Sequence, residues 1–329
     1  MPDVINLASK YSKKIVDKFY TDSVILGKTS NEYSWDGVNS INVYTLQTVA
    51  PVDYLRPYDT STSGHIVGSN ESGQTGASIA RYGNTVEVQD TIQTLTLSQD
   101  KAVSLSVDKG NNTQQMLIKN AGVVMARELR EQFVPMFDKY ALARWSGQLA
   151  STTTAPWYNK IQVKKDGSSA LTKSNIVEKI FDGVTAIRNA ETDVNDAYCY
   201  IGETLFAQLL QSTEFLDVDK LAERNLENGV MGKVRGVKIV PVPDSYLLKT
   251  TYDASSNVTA LNNPNLTEDV NFMVVKKSVV LTPTKIKDAK VHQDPPGISG
   301  ALLEVRWLYD AFVLNTKAKG IYVSLKKAA

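Results

Sequence analysis

A long run rich in glycine, serine and threonine, flanked on both sides by β-prone sequence, is the feature that most limits how this chain can fold. Residues 59–85 read DTSTSGHIVGSNESGQTGASIARYGNT, and about half of them are Gly, Ser or Thr, as in flexible linkers and long loops. VAPVDYLRPY precedes the run and TVEVQDTIQTLTLSQ follows it, which predicts a long two-stranded hairpin with a glycine-rich tip. Because a lone hairpin is only marginally stable in water, something outside its own domain must hold it.

The second strand of this hairpin carries apolar residues in two different phases. Val86, Val88 and Ile92 lie on one face of an extended chain, whereas Leu95 and Leu97 lie on the other. The change of phase predicts a β-bulge between the two groups.

The first 20 residues have the apolar spacing of an amphipathic helix. The residues of the apolar face follow one another at steps of three and four, and they are Val4, Ala8, Tyr11, Ile15 and Phe19. Two interpretations remain open. The stripe can belong to a short surface helix that packs on its own core, or to an arm that docks on another subunit.

Two further helices are predicted, with strands after them. Residues 112–149 have a helical period, and Pro135, which lacks an amide hydrogen, should kink or divide this long helix. A second helix begins after Ser174 or Asn175 and buries a stripe made of Ile176, Ile180, Val184 and Ile187.

The remaining strands are short. Ala197–Ile201 reads as a buried strand, residues 237–240 as a strand stopped by Pro241 and Pro243, and residues 271–275 and 279–281 as a pair. Residues 320–325 form an alternating final strand. The predicted class is therefore α+β.

Composition argues against several functions. Lys and Arg number 36 and Asp and Glu 35, so a net charge of +1 excludes nucleic-acid binding through a strong overall positive field. No segment approaches the roughly 18 apolar residues of a membrane span. The N-terminus lacks a signal-peptide core, so synthesis and folding in the cytoplasm are expected.

The chemistry of catalysis is also missing. Cys199 is the only cysteine, and His65 and His292 are the only histidines, so a disulfide within the chain is impossible and a cysteine zinc site nearly excluded. Nucleotide-binding, hydrolase and metalloprotease motifs are absent. We expect no enzyme, no cofactor and no metal site.

The order of elements resembles the major capsid protein of tailed bacteriophages, the Hong Kong 97-type fold. Four segments carry the resemblance: ELREQFVPMFDKYALARW, NIVEKIFDGVTAIRNAETDVN, GKVRGVKIVPVPDSYL and LLEVRWLYDAFVLNTKAKGIYVSLKK. It implies an N-terminal arm at 1–50 and an extended loop at 51–98. It further implies a peripheral domain with a spine helix at 99–190 and 276–318, and an axial domain at 191–275 and 319–329.

The resemblance also implies how the chain functions. It would assemble with itself into pentamers and hexamers of an icosahedral shell that encloses double-stranded DNA without reading its sequence. Arm residues Val4 to Phe19 would contact neighbours, as would the extended loop through Arg56, Gly64, Gly68, Gly73, Gly76, Arg81 and Gly83. The loop would gain its order from that interface.

Further expectations concern partners. Residues 54–100 contain no lysine, so the Lys–Asn cross-link of some family members is not expected. The chain would use a separate scaffolding protein and a portal, assemble in the host cytoplasm and end in the virion, with no membrane. Its shell would depend on non-covalent contacts or on a separate cement protein. Two alternatives remain open: an encapsulin-like nanocompartment shell of the same fold, and a carboxylate-based enzyme or soluble binding module.

Overall fold

The computed structural model describes residues 23–30, 32–33, 35, 40–51, 87–114, 121–147, 160–165, 171–212, 233–247 and 269–326. These belong to two compact units. One is Ile41–Leu95, and the other joins Met1–Ser40 to Thr96–Ala329. The described residues of the larger unit include a helical spine, a three-stranded sheet, a six-stranded sheet with two further helices, and a short two-stranded ladder.

In the smaller unit the structure describes a two-stranded stem, whose second strand lies in the predicted hairpin sequence. Its first strand is Ser40–Leu46 and not the predicted 49–58, of which the described residues 49–51 lie outside any strand. Strands β1 (Ser40–Leu46) and β2 (Asp90–Thr96) form a two-stranded sheet. The Gln47 N–H donates to the Gln89 carbonyl oxygen at 2.8 Å, and the Thr94 hydroxyl donates to Asn42 Oδ1 at 2.8 Å. From the first contact to the second, the residue number decreases along β1 and increases by the same amount along β2. The strands are therefore antiparallel, and their register does not change between these contacts.

That constant register changes the interpretation of the two apolar phases in β2. Leu95 is buried and Ile92 is exposed, which is the alternation of an ordinary strand with one covered face and one open face. Between Gln89 and Thr94 no extra residue is inserted, so the predicted bulge is wrong for this part of the strand.

The spine of the larger unit is a helical run from Ala121 to Trp145. It consists of α2 (Ala121–Glu128), a π-helical turn (Leu129–Phe133) and α3 (Val134–Trp145). A shorter helix, α1 (Lys109–Gln114), precedes it, and residues 115–120 between them lie outside the described part. At 1.5 Å per residue the run is roughly 37 Å long.

The aromatic face of the spine packs on a three-stranded antiparallel sheet. Its order is β10 (Thr284–Gln293), β11 (Gly300–Tyr309) and β3 (Gln99–Asp108). Phe137 lies 5.4 Å from the Trp307 ring and 5.3 Å from the Tyr309 ring, so alternate residues of β11 fill the groove beside the helix.

The other end of the spine packs on a six-stranded mixed sheet. In sheet order the strands are β4 (Gln162–Lys165), β13 (Ile321–Leu325), β8 (Val270–Lys276), β5 (Ala197–Gly202), β7 (Val237–Val242) and β6 (Lys233–Val234). Trp145 of α3 is fully buried, and its ring lies 6.1 Å from that of Tyr200 on β5. One helix therefore contributes to the cores beneath both sheets.

The opposite face of the six-stranded sheet is covered by α4 (Ile176–Asn189). The predicted stripe is confirmed, because Ile176, Ile180, Val184 and Ile187 are all fully buried. A short helix, α5 (Glu203–Leu210), follows β5. The division into peripheral and axial domains stays a prediction, and α4 shares its core with the six-stranded sheet.

Two predicted strand details are wrong. The strand β7 continues through Pro241, which pairs with Ile201. Among the described residues, β6 pairs with β7 only at Val237 and Lys238. No described strand pairs with that edge of β7 at the proline, so the missing N–H is tolerated there. Residues 279–281 do not pair with β8. Instead β9 (Val280–Leu281) pairs with β12 (Phe312–Val313).

Candidate subunit-contact surfaces

One face of the hairpin stem exposes large apolar side chains. Tyr44 and Leu46 on β1 are 62% and 69% exposed, and Val88 and Ile92 on the returning chain are 64% and 56% exposed. Side chains two residues apart share a face of a strand. The register also places Tyr44 opposite Ile92, so the four residues lie on one side. We call this set the exposed hairpin face.

The exposed hairpin face has a composition that favours contact with another protein. Single exposed apolar residues are ordinary on protein surfaces, whereas a contiguous group marks an interaction site. The other face of the same strands buries Val43 and Leu95, at 8% and 3% exposure. Both faces of the stem therefore carry apolar side chains, and no described residue covers the exposed hairpin face.

A buried carboxylate fixes the chain just after β2. Asp310 is 1% exposed and accepts hydrogen bonds at both oxygens. Its Oδ2 accepts from the N–H and the hydroxyl of Ser98, at 2.9 and 2.8 Å. Its Oδ1 accepts from the Tyr140 hydroxyl and the Ala311 N–H, each at 2.7 Å. The Asp310 side chain therefore joins three segments: the chain just after β2, the spine helix and the turn after β11.

A second buried carboxylate holds the N-terminal part of the larger unit. Asp138 on α3 is 1% exposed, and it accepts hydrogen bonds from the Ser23 hydroxyl at 2.7 Å and the Val24 N–H at 2.9 Å. Burial raises the pKa of Asp138 to about 6, while the two hydrogen bonds and the charge of Lys28 oppose that rise. Residues 23–30 are thereby attached to the spine helix.

The predicted contact residues fall mainly outside the described part of the chain. Those of the arm (Val4, Ala8, Tyr11, Ile15 and Phe19) precede residue 23, and those of the loop (Arg56, Gly64, Gly68, Gly73, Gly76, Arg81 and Gly83) lie within 52–86. The structure does not bring them to a described surface, and their roles stay predictions.

Pro135 is the predicted site residue that the structure describes. It occupies the second position of α3, directly after the π-helical turn, in which the Val134 N–H donates to the Leu129 carbonyl oxygen. A π turn widens the helix by one residue, and this widening lies where the proline ring would otherwise meet the preceding turn. The kink itself stays a prediction.

Candidate catalytic groups do not converge in the described residues. Cys199 is fully buried, and burial raises the pKa of its thiol to about 12. His292 lies on β10 with Nε2 3.3 Å from Glu304, on an exposed surface. Within the described ranges no three His, Cys, Asp or Glu side chains form a group that could hold a metal ion. No helix in those ranges is long and apolar enough to cross a bilayer.

The outer face of the three-stranded sheet is covered by charges of both signs. Arg306 binds Asp100 through two hydrogen bonds of 2.6 and 3.0 Å, and this contact lowers the pKa of Asp100. Lys290 pairs with Asp288 at 2.8 Å. Around them is an open groove of about 440 Å³ lined by Ala102, Val103, Ser104, Asp288, Lys290, Glu304, Val305 and Arg306. Alternating charges of this kind do not select an anion such as phosphate.

Sequence reasoning missed the residues that matter most in this description. The exposure of Tyr44 and Leu46 depends on which face of their strand is covered. Asp138 and Asp310 are acidic residues within apolar runs, FDKYALARW and WLYDAFVL. An acidic residue in such a context is the available sequence signal for a buried, hydrogen-bonded carboxylate.

Solved bacteriophage structures match nearly the whole chain. The capsid structure of cyanophage P-SCSP1u is 15% identical, with a TM-score of 0.65 over 98% of this chain and 93% of the other. A Mycobacterium phage Che8 structure is 14% identical, with a TM-score of 0.64 over 98% of both chains. The asymmetric unit of the mature capsid of bacteriophage PhiM1 is 13% identical, with a TM-score of 0.62 over 98% and 92%. No family model and no curated protein matches the sequence.

The chain therefore has the fold of tailed-phage capsid subunits, and the predicted Hong Kong 97-type fold is confirmed. The cyanophage P-SCSP1u and bacteriophage PhiM1 structures are capsids, and their similarity to this chain is one of fold.

Proposed function

We propose that this protein is the major capsid protein of a tailed bacteriophage and assembles with itself into an icosahedral shell around double-stranded DNA. The observation that carries this proposal is the exposed hairpin face of Tyr44, Leu46, Val88 and Ile92, on a chain whose fold matches phage capsids. A shell subunit needs apolar surface that is open in the single chain and covered in the assembly.

The hairpin supplies such surface in the form that assembly requires. Its stem exposes side chains that would each contribute about 1.5–3 kcal/mol on burial. Fixing the backbone of glycines costs more conformational entropy than fixing other residues, and contact with a neighbouring subunit would offset that cost in the glycine-rich tip. The loop accordingly lies over a neighbouring subunit, and Arg56 and Arg81 add polar contacts there.

The shell is held without covalent bonds in this proposal. Since residues 54–100 contain no lysine, the loop offers no amine for a cross-link. The net charge of +1 agrees with a shell that contacts packaged DNA weakly, through local and salt-sensitive contacts. Separate scaffolding and portal proteins complete the particle, and either non-covalent contacts between subunits or a separate cement protein stabilise the shell. Assembly takes place in the host cytoplasm, and the final location is the virion.

The spine explains how one chain forms both pentamers and hexamers. The α3 helix packs under both sheets of the larger unit, and the π turn directly before α3 interrupts the regular α-helical geometry of the spine. Small changes of helix geometry at that turn adjust the angle between neighbouring subunits.

Electron microscopy of the purified full-length protein, alone and with its scaffolding protein, tests the proposal. Closed icosahedral particles are expected, and particles from infected cells should protect DNA from nuclease. Particles that hold an enzyme cargo and no DNA would favour the nanocompartment shell. A monomer or small oligomer under every assembly condition would contradict both kinds of shell.

A further inference from the structure

Residues 23–30 are tied to the rest of their unit at two separate places. Their start is held by Asp138, through Ser23 and the amide that follows it. Their end is held by the Ser30 N–H, which donates to the Val280 carbonyl oxygen at 3.0 Å. Because the two ties use different atoms and different partners, the start can open while the end stays bound.

Gly27 provides a pivot between the two ties. Its φ of +79° lies in the left-handed region that favours glycine. The Lys28 N–H donates to the Ile25 carbonyl oxygen at 2.9 Å, so residues 25–28 form a tight turn with glycine at its third position. The Ser23 oxygen also accepts the Leu26 N–H at 3.2 Å, which joins the turn to the tie at Asp138.

The carboxylate of Asp138, which forms the first tie, has little access to water. Asp138 is 1% exposed and has two hydrogen-bond donors, Ser23 and Val24. The buried Lys28 ammonium donates to the Val24 carbonyl oxygen at 2.8 Å, and it acts on Asp138 by charge alone. Burying a carboxylate costs free energy, and the two hydrogen bonds and the nearby ammonium offset only part of that cost. Opening of the segment would expose the carboxylate to water.

Two tyrosines and two lysines lie around Asp138. Tyr200 on β5 and Tyr246 after β7 face it, and burial raises the pKa of both, so they stay neutral. Burial lowers the pKa of Lys28, against the attraction of Asp138. Lys139, next to Asp138 on the helix, lies over the Tyr246 ring at 5.4 Å. Asp138 is the one carboxyl group among these five side chains.

We propose that Asp138 makes the attachment of residues 23–30 to the spine helix depend on pH, and that the start of this segment opens more readily once the carboxyl has lost its proton. The closed state favours the neutral carboxyl because it is buried, with a pKa of about 6, whereas the open, hydrated state titrates near 3.8. The closed state therefore binds the proton more tightly. Its advantage is complete in acid and is lost as the pH rises through 6.

This property belongs to the single chain and does not depend on the proposed shell function. Opening becomes up to about tenfold easier for each pH unit between roughly 4 and 6, and it levels off above that range. In a shell subunit, residues 1–22 lead into this segment, so the base of the predicted arm is held least tightly near neutral pH.

Hydrogen exchange of the full-length, unassembled protein at pH 4.5 to 7 tests the inference. Protection factors, taken relative to the intrinsic exchange rate at each pH, report opening at the Val24, Leu26 and Lys28 amides. We expect these factors to fall roughly 25-fold over this range, because the ratio of open to closed forms follows the two pKa values. The strand Val270–Lys276 serves as internal reference and should not change.

Variants separate the charge of Asp138 from its structural role. Asp138→Asn should remove the pH dependence, and Asp310→Asn, at the other buried carboxylate, should retain it. Ser23→Ala removes a hydrogen bond that lowers the pKa of Asp138, so the upper end of the pH-dependent range should move above 6. A flat or rising protection profile in the wild type, or a wild-type slope in Asp138→Asn, would overturn the inference. If Asp138→Asn does not fold, the inference is tested by the pH dependence of the protection factors in the wild type and in Ser23→Ala.

Discussion

Tyr140 on the spine helix donates a 2.7 Å hydrogen bond to Asp310, which lies 170 positions later in the sequence. Both side chains are almost completely buried, and the second oxygen of Asp310 holds Ser98. A hydroxyl and a carboxylate buried together in this way stabilise the fold because each satisfies the other. The pair connects the helix to the adjacent ends of β3 and β11, because Ser98 precedes β3, Asp310 follows β11, and Gln99 pairs with Tyr309.

Removal of this hydrogen bond should destabilise the subunit without changing its shape. Tyr140→Phe keeps the ring beside Tyr309 but leaves Asp310 one donor short, so the free energy of unfolding should fall by about 1.5–3 kcal/mol. Urea unfolding of the unassembled protein measures this. Tyr246→Phe is the matched control, because the Tyr246 hydroxyl makes no hydrogen bond with the described residues, and it should change the stability by under about 0.5 kcal/mol. Equal effects of the two changes would contradict the role of the pair.

Gly300 should not tolerate a side chain. It begins β11 with φ +138°, and a Cβ there would overlap the Val107 carbonyl oxygen on β3. Gly300→Ala should therefore lower the unfolding free energy by about 3 kcal/mol or more. Gly297→Ala, in the turn before β11, has a positive φ but open space around it, so about 1 kcal/mol is expected. Thermal unfolding of both variants measures the difference, and a harmless Gly300→Ala would show that β3 and β11 are not paired as described.

The exposed hairpin face should serve assembly and not folding. The double change Tyr44→Ser with Ile92→Ser alters two exposed side chains, so the unfolding temperature of the unassembled chain should stay the same. The concentration needed for assembly should rise roughly 100-fold, since each side chain contributes about 1.5 kcal/mol or more on burial. Light scattering against protein concentration measures this. Val291→Ser, at an exposed position outside the hairpin, is the control. Unchanged assembly in the double variant would remove this face from the interface.

Cys199 should be inert in the folded chain. It is the only cysteine, it is fully buried in β5, and its pKa of about 12 keeps the thiolate scarce at pH 8. A thiol reagent should therefore label the native protein only at the rate at which it unfolds, and should label one thiol per chain at once in denaturant. Rapid labelling of the native protein at pH 8 would contradict the buried placement of β5.

Local periodicity was sufficient where one face of an element is simply buried. The stripe from Ile176 to Ile187 repeats at helical spacing, and β5 is a short apolar run between turn residues, so both could be predicted. The fold class could be predicted for the same reason, since the order of these elements carries the resemblance.

Other elements depend on partners that are distant in sequence. The strand β10 reads TKIKDAKVHQ, and its charges suggest a loop, yet it pairs with β11 from Thr284 to Gln293. Strand β13 was expected to alternate but is buried at every residue, because α4 covers one face of its sheet and the spine core lies at the other. Neither the pairing of β10 nor the full burial of β13 can be predicted from the local sequence alone.

The candidate site was predictable only in outline. The hairpin follows from composition, but the exposure of Tyr44 and Ile92 depends on which face of the stem is covered. The tie between Asp138 and Ser23 joins residues more than a hundred positions apart, and no spacing rule connects them.

Sedimentation velocity of the full-length protein and of a variant without residues 64–83 tests the central claim most directly. We expect the full-length protein to form closed shells under assembly conditions. The shortened chain should remain a folded subunit or small oligomer with unchanged circular dichroism. Normal shells from the shortened chain, or a full-length chain that stays a compact monomer, would contradict the account.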